Sequence, residues 1–315
     1  MVAAASDPLA SFLQQHLGVA LRRRTPVSGG CIHSAWRLEL EDGGPLFAKT
    51  TTAAGLPLLE AEADGLAALA AAAEGSGLQV PRPRALGRDG EQAVLVLDWL
   101  DLDGASSSQG WRRLGQGLAR LHRHSLEIGC ADGDGSEAGF GWRRDNVIGS
   151  TPQANGWLQD WGAFFRRRRL EPQFALLAER GVRLRRSGDL LGQVEGWLAD
   201  HRPEAVLVHG DLWSGNAALT AHGAGALFDP AVHRADREVD LAMAQLFGGF
   251  PASFFEGYDQ EWPLPKGHRA RVRLYNLYHL LNHANLFGGG YIGQAQASVE
   301  ALLTDPPERP ATSRP

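Results

Sequence analysis

The sequence predicts an α+β chain in two lobes: a small antiparallel sheet carrying one main helix, then a larger and mostly helical part. Three observations predict it. In the first hundred residues Trp36, Leu38 and Leu40 alternate with Arg37 and Glu39, and short apolar runs at 46–49 and 94–97 complete a set of candidate strands. Between the last two runs, residues 58–73 are rich in Ala and Leu and are bounded by Pro57 and by Gly75 and Gly77, which reads as a helix. Beyond Leu97 helical periods dominate, apart from a strand-like stretch at 205–228. With 315 residues, 43% of them apolar, the chain can bury a core for two lobes.

Taken in order, residues 7–17 place Leu9, Phe12, Leu13 and Leu17 near helical spacing behind Asp7, a residue able to cap the free amides. Residues 27–34 join the first two candidate strands. After Leu97 the chain runs through Asp98, Trp99, Leu100, Asp101 and Leu102 into a Gly/Ser stretch. The expected division is therefore a first lobe over 1–98, a hinge over 99–104 and a second lobe over 105–304. Residues 131–139 are polar and Gly-rich, hence a loop, and 305–315, with four prolines, are expected to fray.

Composition excludes several classes of function. A net charge of −5 with 21% charged residues favours neither nucleic acid nor an anionic membrane as main partner. No apolar run reaches the about 18 residues of a membrane span, and the first residues lack a basic start with an apolar signal core. Two cysteines in a chain this long, Cys31 and Cys130, suggest a reducing compartment, so a cytoplasmic location is expected.

The densest local signal is His209-Gly210-Asp211-Leu212-Trp213-Ser214-Gly215-Asn216, followed by a short apolar run, a Gly-containing turn and Ala226-Leu227-Phe228-Asp229-Pro230. Two short runs around a turn make a hairpin. If Asn216 opens its first strand and Asp229 closes its second, antiparallel pairing sets two oxygen-bearing side chains together, as a magnesium site requires. Asp211 stands five residues before Asn216, the spacing by which a kinase catalytic loop puts an Asp on the incoming hydroxyl and an Asn on the metal. The plainer alternative is a loop hydrogen bond between His209 and Asp211 and a turn capped by Asp229.

Only Lys49 and Lys266 are lysines among 31 basic residues, which makes each worth attention. Lys49 ends an apolar run. Leu59, Glu62, Leu66 and Leu69 share one helical stripe, so Glu62 falls on a buried face and needs a cation. A Lys49–Glu62 bridge meets that need and aims the ammonium at a nucleotide's phosphates; the alternative is an exposed helix face and a surface lysine. Gly29 and Gly30, ahead of this strand, can turn amides toward phosphate oxygens. Cys31 beside them would be redox-sensitive if a phosphate pocket lowered its pKa. The segment 141–149 and the arginines 166–169 read as packed aromatics with solvated arginines, or as a grip on an acidic substrate. Near the end, Leu274, Leu277, Tyr278 and Leu281 make one stripe, and Tyr275, His279, Asn282 and His283 a polar strip beside it.

These residues resemble the fructosamine kinases, also called ketosamine kinases, of the protein-kinase-like and aminoglycoside-phosphotransferase-like group. The resemblance covers about residues 20–304 and rests on Gly29-Gly30-Cys31-Ile32, Lys49, Glu62, the segments 140–149 and 157–170, the 209–216 run, Asp229-Pro230-Ala231, the 236–240 and 246–250 segments and 274–291. It implies a two-lobed protein-kinase-like fold and transfer of phosphate from ATP, with Mg2+, to the sugar 3-hydroxyl of ketosamines, small or borne on glycated protein. The 3-phosphate then releases the amine, a deglycating repair. Carried over residue by residue, Asp211 is the base, Asn216 and Asp229 hold Mg2+, and Lys49 steadied by Glu62 contacts phosphates. Backbone at Asp98, Trp99 and Leu100 receives adenine, and Asp240 stands behind the catalytic loop. Trp213, Asn282 and His283 are the candidates for the sugar pocket. Rival readings are a kinase of the same fold for an aminoglycoside, amino alcohol or thiosugar, and a nucleotide-binding module without turnover. Oligomeric state is not written in the sequence.

Overall fold

A computed structural model describes residues 7–27, 34–102, 104, 106–128 and 139–307. Helix α1 (Pro8–Leu17) begins with the Asp7 carboxylate accepting from the Leu9 amide at 3.1 Å and ends on Gly18 in a left-handed conformation. The sheet follows: β1 (Leu21–Val27), β2 (Ser34–Leu40) and β3 (Leu46–Thr52), then α2 (Leu56–Ala72), β4 (Leu78–Gln79), β5 (Pro83–Asp89) and β6 (Gln92–Asp98). Five of these strands pair antiparallel in the order β1-β2-β3-β6-β5. The central strands β3 and β6 carry the apolar runs that the sequence displays. Edge strand β1 is mostly exposed and edge strand β5 mostly half-buried, and they bear Arg22, Arg23, Arg24 and Pro26, and Pro83, Arg84 and Arg88. Such edges resist pairing with a second chain, and β5 escapes a reading by alternation for the same reason.

Helix α2 starts two residues earlier than the sequence suggests, because Pro57 occupies its first turn, where a missing amide hydrogen costs nothing. One face packs on the sheet through Leu59, Leu66 and Leu69. The other meets the second lobe.

That lobe comprises α3 (Ser108–Ile128), the ribbon β7 (Asn146–Ile148) and β8 (Thr151–Gln153), α4 (Trp161–Phe164), a π-helical stretch Phe165–Leu170, α5 (Glu171–Glu179), α6 (Ser187–Trp197), strands β9 (Val206–Val208), β10 (Ala217–Leu219), β11 (Gly225–Leu227) and β12 (His233–Ala235), and helices α7 (Glu238–Leu246), α8 (Ala252–Glu261), α9 (His268–Phe287) and α10 (Gly290–Thr304). Helix α9 is buried on nearly all sides: the expected polar strip of Tyr275, His279 and Asn282 is as enclosed as the apolar stripe beside it. The arginines 166–169 form a solvated face only in part: Arg167 is exposed and Arg169 is not. Arg166 pairs with Glu171 and Glu195, and Arg169 is 1% exposed, lying over the Phe164 ring and donating to Asn155 Oδ1.

Strand β4 leaves the first sheet and pairs parallel with β11. Among the described residues no helix is long and apolar enough to cross a membrane. The expected loop at 131–139 and the tail at 305–315 lie almost wholly outside the described residues.

Candidate active site

The cleft is assembled from both lobes. Lys49 sits mid-strand in β3, opposite Ala35 of β2 and Leu95 of β6, so its side chain is fixed by sheet register. Its Nζ lies 2.6 Å from Glu62 Oε1 on α2 and 2.5 Å from Asp229 Oδ1. Burial alone would lower the ammonium's pKa. The two carboxylates outweigh it and hold the pKa above its ordinary value, so Lys49 stays charged. Lys49 and Glu62 are therefore a strand-to-helix pair and not a surface lysine beside an exposed face.

The 209–216 loop runs from β9 to β10 and is held from behind. Asp240 on α7 accepts from the His209 and Gly210 amides at 2.7 and 2.9 Å, and from His122 Nε2 of α3 at 3.2 Å. Those bonds offset burial and keep the Asp240 carboxyl below its usual range. His209 is buried and its pKa lowered by desolvation. The neutral tautomer assigned from the network receives the Asp211 amide on Nδ1 at 3.3 Å and donates from Nε2 to the Phe228 carbonyl at 3.0 Å. Gly210, at φ 80°, has no room for a side chain: a Cβ there would lie 2.1 Å from the Ala231 oxygen.

Asn216 stands one residue before β10 and Asp229 two residues after β11, and the register Ala217 to Leu227 brings them together. Asn216 Nδ2 donates to Asp211 Oδ2 at 3.1 Å, to the Asp211 carbonyl at 2.9 Å and to the Asp229 carbonyl at 3.3 Å. With its amide hydrogens so used, the Asn216 Oδ1 is the atom left to a ligand. Asp229 has φ 55°, unusual for a residue with a side chain and a mark of backbone held by its surroundings. Burial pushes the Asp211 carboxyl up to about 7; the Asn216 amide opposes this, and the charges of Asp229 and Asp240 add to it. A carboxamide oxygen and a carboxylate side by side suit a hard divalent cation.

Other predicted positions fall elsewhere. The Asp98 carboxylate is taken by Arg84 Nε at 2.5 Å and by the Arg82 amide at 3.2 Å, so this side chain faces β5. Trp99 packs near Phe47 and under Arg37, and Leu100 follows in irregular backbone. Trp213, within the 209–216 loop, is 41% exposed. Asn282 is buried in α9 with Oδ1 lacking a hydrogen-bond partner, while His283 donates to the His279 carbonyl at 2.9 Å and is ringed by Phe247, Phe287 and Tyr291. Gly29, Gly30 and Cys31 lie outside the described residues. A second cluster, His201, Asp236 and Glu238, brings potential ligand atoms within 4.8 Å of one another, but Tyr275 already donates to Asp236 and Arg271 to both Glu238 oxygens.

The direct Lys49–Asp229 contact was not legible in the sequence, since 180 residues separate the two. The role of Asp64, which accepts from Trp142 and Arg143, also escaped it; an acidic residue near an aromatic-basic segment 78 positions away carries no local signal.

Residues 5–305 match the family model described as fructosamine kinase. The chain belongs to the fructosamine kinase family. It is a phosphotransferase with an alcohol group as acceptor, and its two-lobed fold is kinase-like. A probable ketoamine kinase of Synechocystis sp. is 42% identical over 283 residues, covering 90% of this chain and 91% of that one. A probable ketoamine kinase of Escherichia coli K12 is 37% identical over 299 residues, covering 94% and 98%. Among solved structures, a candidate fructosamine-3-kinase of Thermobifida fusca superimposes with TM-score 0.80 at 28% identity, covering 94% of this kinase and 98% of that chain. The amicoumacin kinase hAmiN, solved with AMP-PNP, Ca2+ and Ami, shares the fold at TM-score 0.59 and 15% identity, covering 90% and 89%.

Proposed function

We propose that this kinase transfers the γ-phosphoryl group of ATP to the sugar 3-hydroxyl of ketoamines, ribulosamines or fructosamines carried on small amines or on protein lysines, and so initiates deglycation. The observation that carries the reading is the convergence of Lys49, Glu62, Asp211, Asn216 and Asp229 in one cleft between the lobes. The names of the 37–42% identical relatives support the substrate class.

In this reading the division of the chain falls at a hinge over 99–104. Backbone at Asp98 to Leu100 receives adenine, Gly29 and Gly30 cover the phosphates, and Lys49 meets the phosphate oxygens, held there by Glu62. Asn216 and Asp229 would hold Mg2+, which when bound neutralises charge on the transferring phosphoryl group. Asp211 accepts the hydrogen bond of the attacking hydroxyl and orients it. Positioning and fixed charge are what a loose phosphoryl-transfer transition state asks of the protein. Trp213, Asn282 and His283 are assigned to the sugar side. Trp213 supplies an exposed aromatic face, and Asn282 a buried oxygen without a partner.

The test is ATP consumption across free and protein-linked ribulosamines and fructosamines, aminoglycosides and amino alcohols, with phosphorus NMR of the product and Asp211→Asn as the blank. The expected result is a sugar 3-phosphate from ketoamines alone. Asp211→Asn should lose roughly 100-fold or more in kcat, the usual weight of a positioned acid or base, while nucleotide affinity stays within about twofold. Turnover confined to another acceptor class, or an Asp211→Asn variant with wild-type kcat, overturns the assignment.

A further inference from the structure

The segment after the 129–138 stretch reaches across to the first lobe and grips α2. Trp142 Nε1 donates to Asp64 Oδ2 at 2.7 Å, and Arg143 donates to Asp64 Oδ1 through Nε at 2.9 Å and also through Nη2. Arg144 Nη1 adds a longer bond to the Glu60 carbonyl at 3.3 Å. Asp64 is a well-enclosed carboxylate, its side chain 11% exposed, and the Trp142 ring is buried.

The grip is anchored on the second lobe. Gly141 exchanges amide and carbonyl bonds with Arg234 of β12 at 3.0 and 2.7 Å. The Trp142 amide donates to the Asn155 carbonyl at 2.9 Å, and Asn155 Nδ2 donates to the Arg144 carbonyl at 3.1 Å. Buried Arg169 then holds Asn155. This gives the aromatic-basic segment a partner within its own chain: the acidic groups it grips belong to α2.

Two residues along a helix turn the side chain by about 200°, so Glu62 and Asp64 project from roughly opposite faces of α2. Glu62 points to Lys49 and Asp64 to the clamp. Between them in effect is Gly65, where a Cβ would lie 3.2 and 3.4 Å from the Val232 methyls and 3.5 Å from Pro230. The helix backbone therefore rests on the segment that leaves Asp229. Rotation or withdrawal of α2 would break the Asp64 clamp and the Gly65 contact together.

We propose that Asp64, clamped by Trp142 and Arg143, is a positioning residue that locks α2 against the second lobe and so keeps the Lys49–Glu62 pair assembled without any added modification. This rests on the reading of Lys49 and Glu62 as nucleotide-binding groups. Asp64 touches neither; it acts through Glu62.

The experiment measures affinity for Mg2+-bound AMP-PNP by calorimetry in wild type, Glu62→Gln, Asp64→Asn, Trp142→Phe and the Glu62→Gln/Asp64→Asn double variant. Trp142→Phe removes one N–H and keeps the ring packed, so it serves if Asp64→Asn fails to fold. Glu62→Gln and Asp64→Asn should each weaken binding by about fivefold or more, Trp142→Phe by about threefold, and the double variant should be no weaker than Glu62→Gln alone within about twofold, as residues acting in series require. Losses that multiply in the double variant overturn the proposal, because a merely structural Asp64 would add its own cost. Unchanged binding in Asp64→Asn and Trp142→Phe, with Glu62→Gln impaired, overturns the lock and leaves the nucleotide reading standing. Unchanged binding in Glu62→Gln overturns both.

Discussion

Several residues here are fixed by what surrounds them more than by their own preferences. Gly210 is required because a carbonyl occupies the place of its Cβ, and Asp229 holds a left-handed backbone so that its carboxylate meets Lys49. His279 is a further case. It is buried with Nδ1 unpartnered, and its pKa falls to about 3, chiefly through burial; His283 and Arg169 reinforce the fall and Asp240 opposes it. The folded pKa lies below the unfolded value near 6.5, so the unfolded chain binds the extra proton in between. His279 therefore favours folding above about pH 6.5 and progressively loses that contribution as pH falls toward 3. Buried Asp211 and Glu238, each pushed up to about 7, act in the opposite sense, so the effect is to be read as a difference. Between pH 6.5 and 4.5, wild type should lose about 1.4 kcal/mol per pH unit relative to His279→Gln. Urea midpoints of the two proteins at several pH values check this, and parallel curves would contradict it.

At the scale of elements, helices α7 and α9 are joined by a buried ion pair. Arg271 Nε and Nη2 reach the two Glu238 oxygens at 2.8 and 2.6 Å, with both side chains about 5% exposed. Removing one partner leaves a charge in the interior. Arg271→Met is expected to cost about 3–5 kcal/mol in urea unfolding, and Arg271→Met with Glu238→Gln to recover much of it. Equal losses in single and double variants would show that packing, not charge, is what Arg271 contributes. The hairpin β10–β11 and helix α2 teach a complementary lesson. The hairpin was legible because its turn and its flanking Asn216 and Asp229 lie within fourteen residues. The face of α2 that carries Asp64 was not, because alanines mark a helix face poorly and the partner lies in another lobe.

For the whole molecule, the ties between the two lobes include the pairing of β4 with β11, the rest of α2 on Val232 and Pro230, the Lys49–Asp229 bridge and the clamp on Asp64 from the second lobe. Contacts of that kind couple the unfolding of the parts they join. Thermal unfolding is expected as one transition, with circular dichroism and tryptophan fluorescence giving the same midpoint to within about 2 °C at a melting slope typical of domains this size. Two resolved transitions would show that the first lobe melts separately. Cutting the clamp with Asp64→Asn should separate the probes if it is the principal tie.

The sequence by itself determined the two-part plan, the central strands, the main helix and the local group of Asp211, Asn216 and Asp229, because each is specified by periodicity or by spacing inside one loop or hairpin. It also pointed to a Lys49–Glu62 pair, since a carboxylate on a buried stripe demands a cation, while an exposed helix face and a surface lysine stayed open until the structure placed the two 2.6 Å apart. Only the tertiary structure decided that Asp229 shares Lys49 with Glu62, that the Asp98 carboxylate turns to Arg84, and that the arginines after Trp142 hold the kinase's own helix. Those outcomes depend on distances between segments far apart in the chain, which side-chain periodicity does not encode.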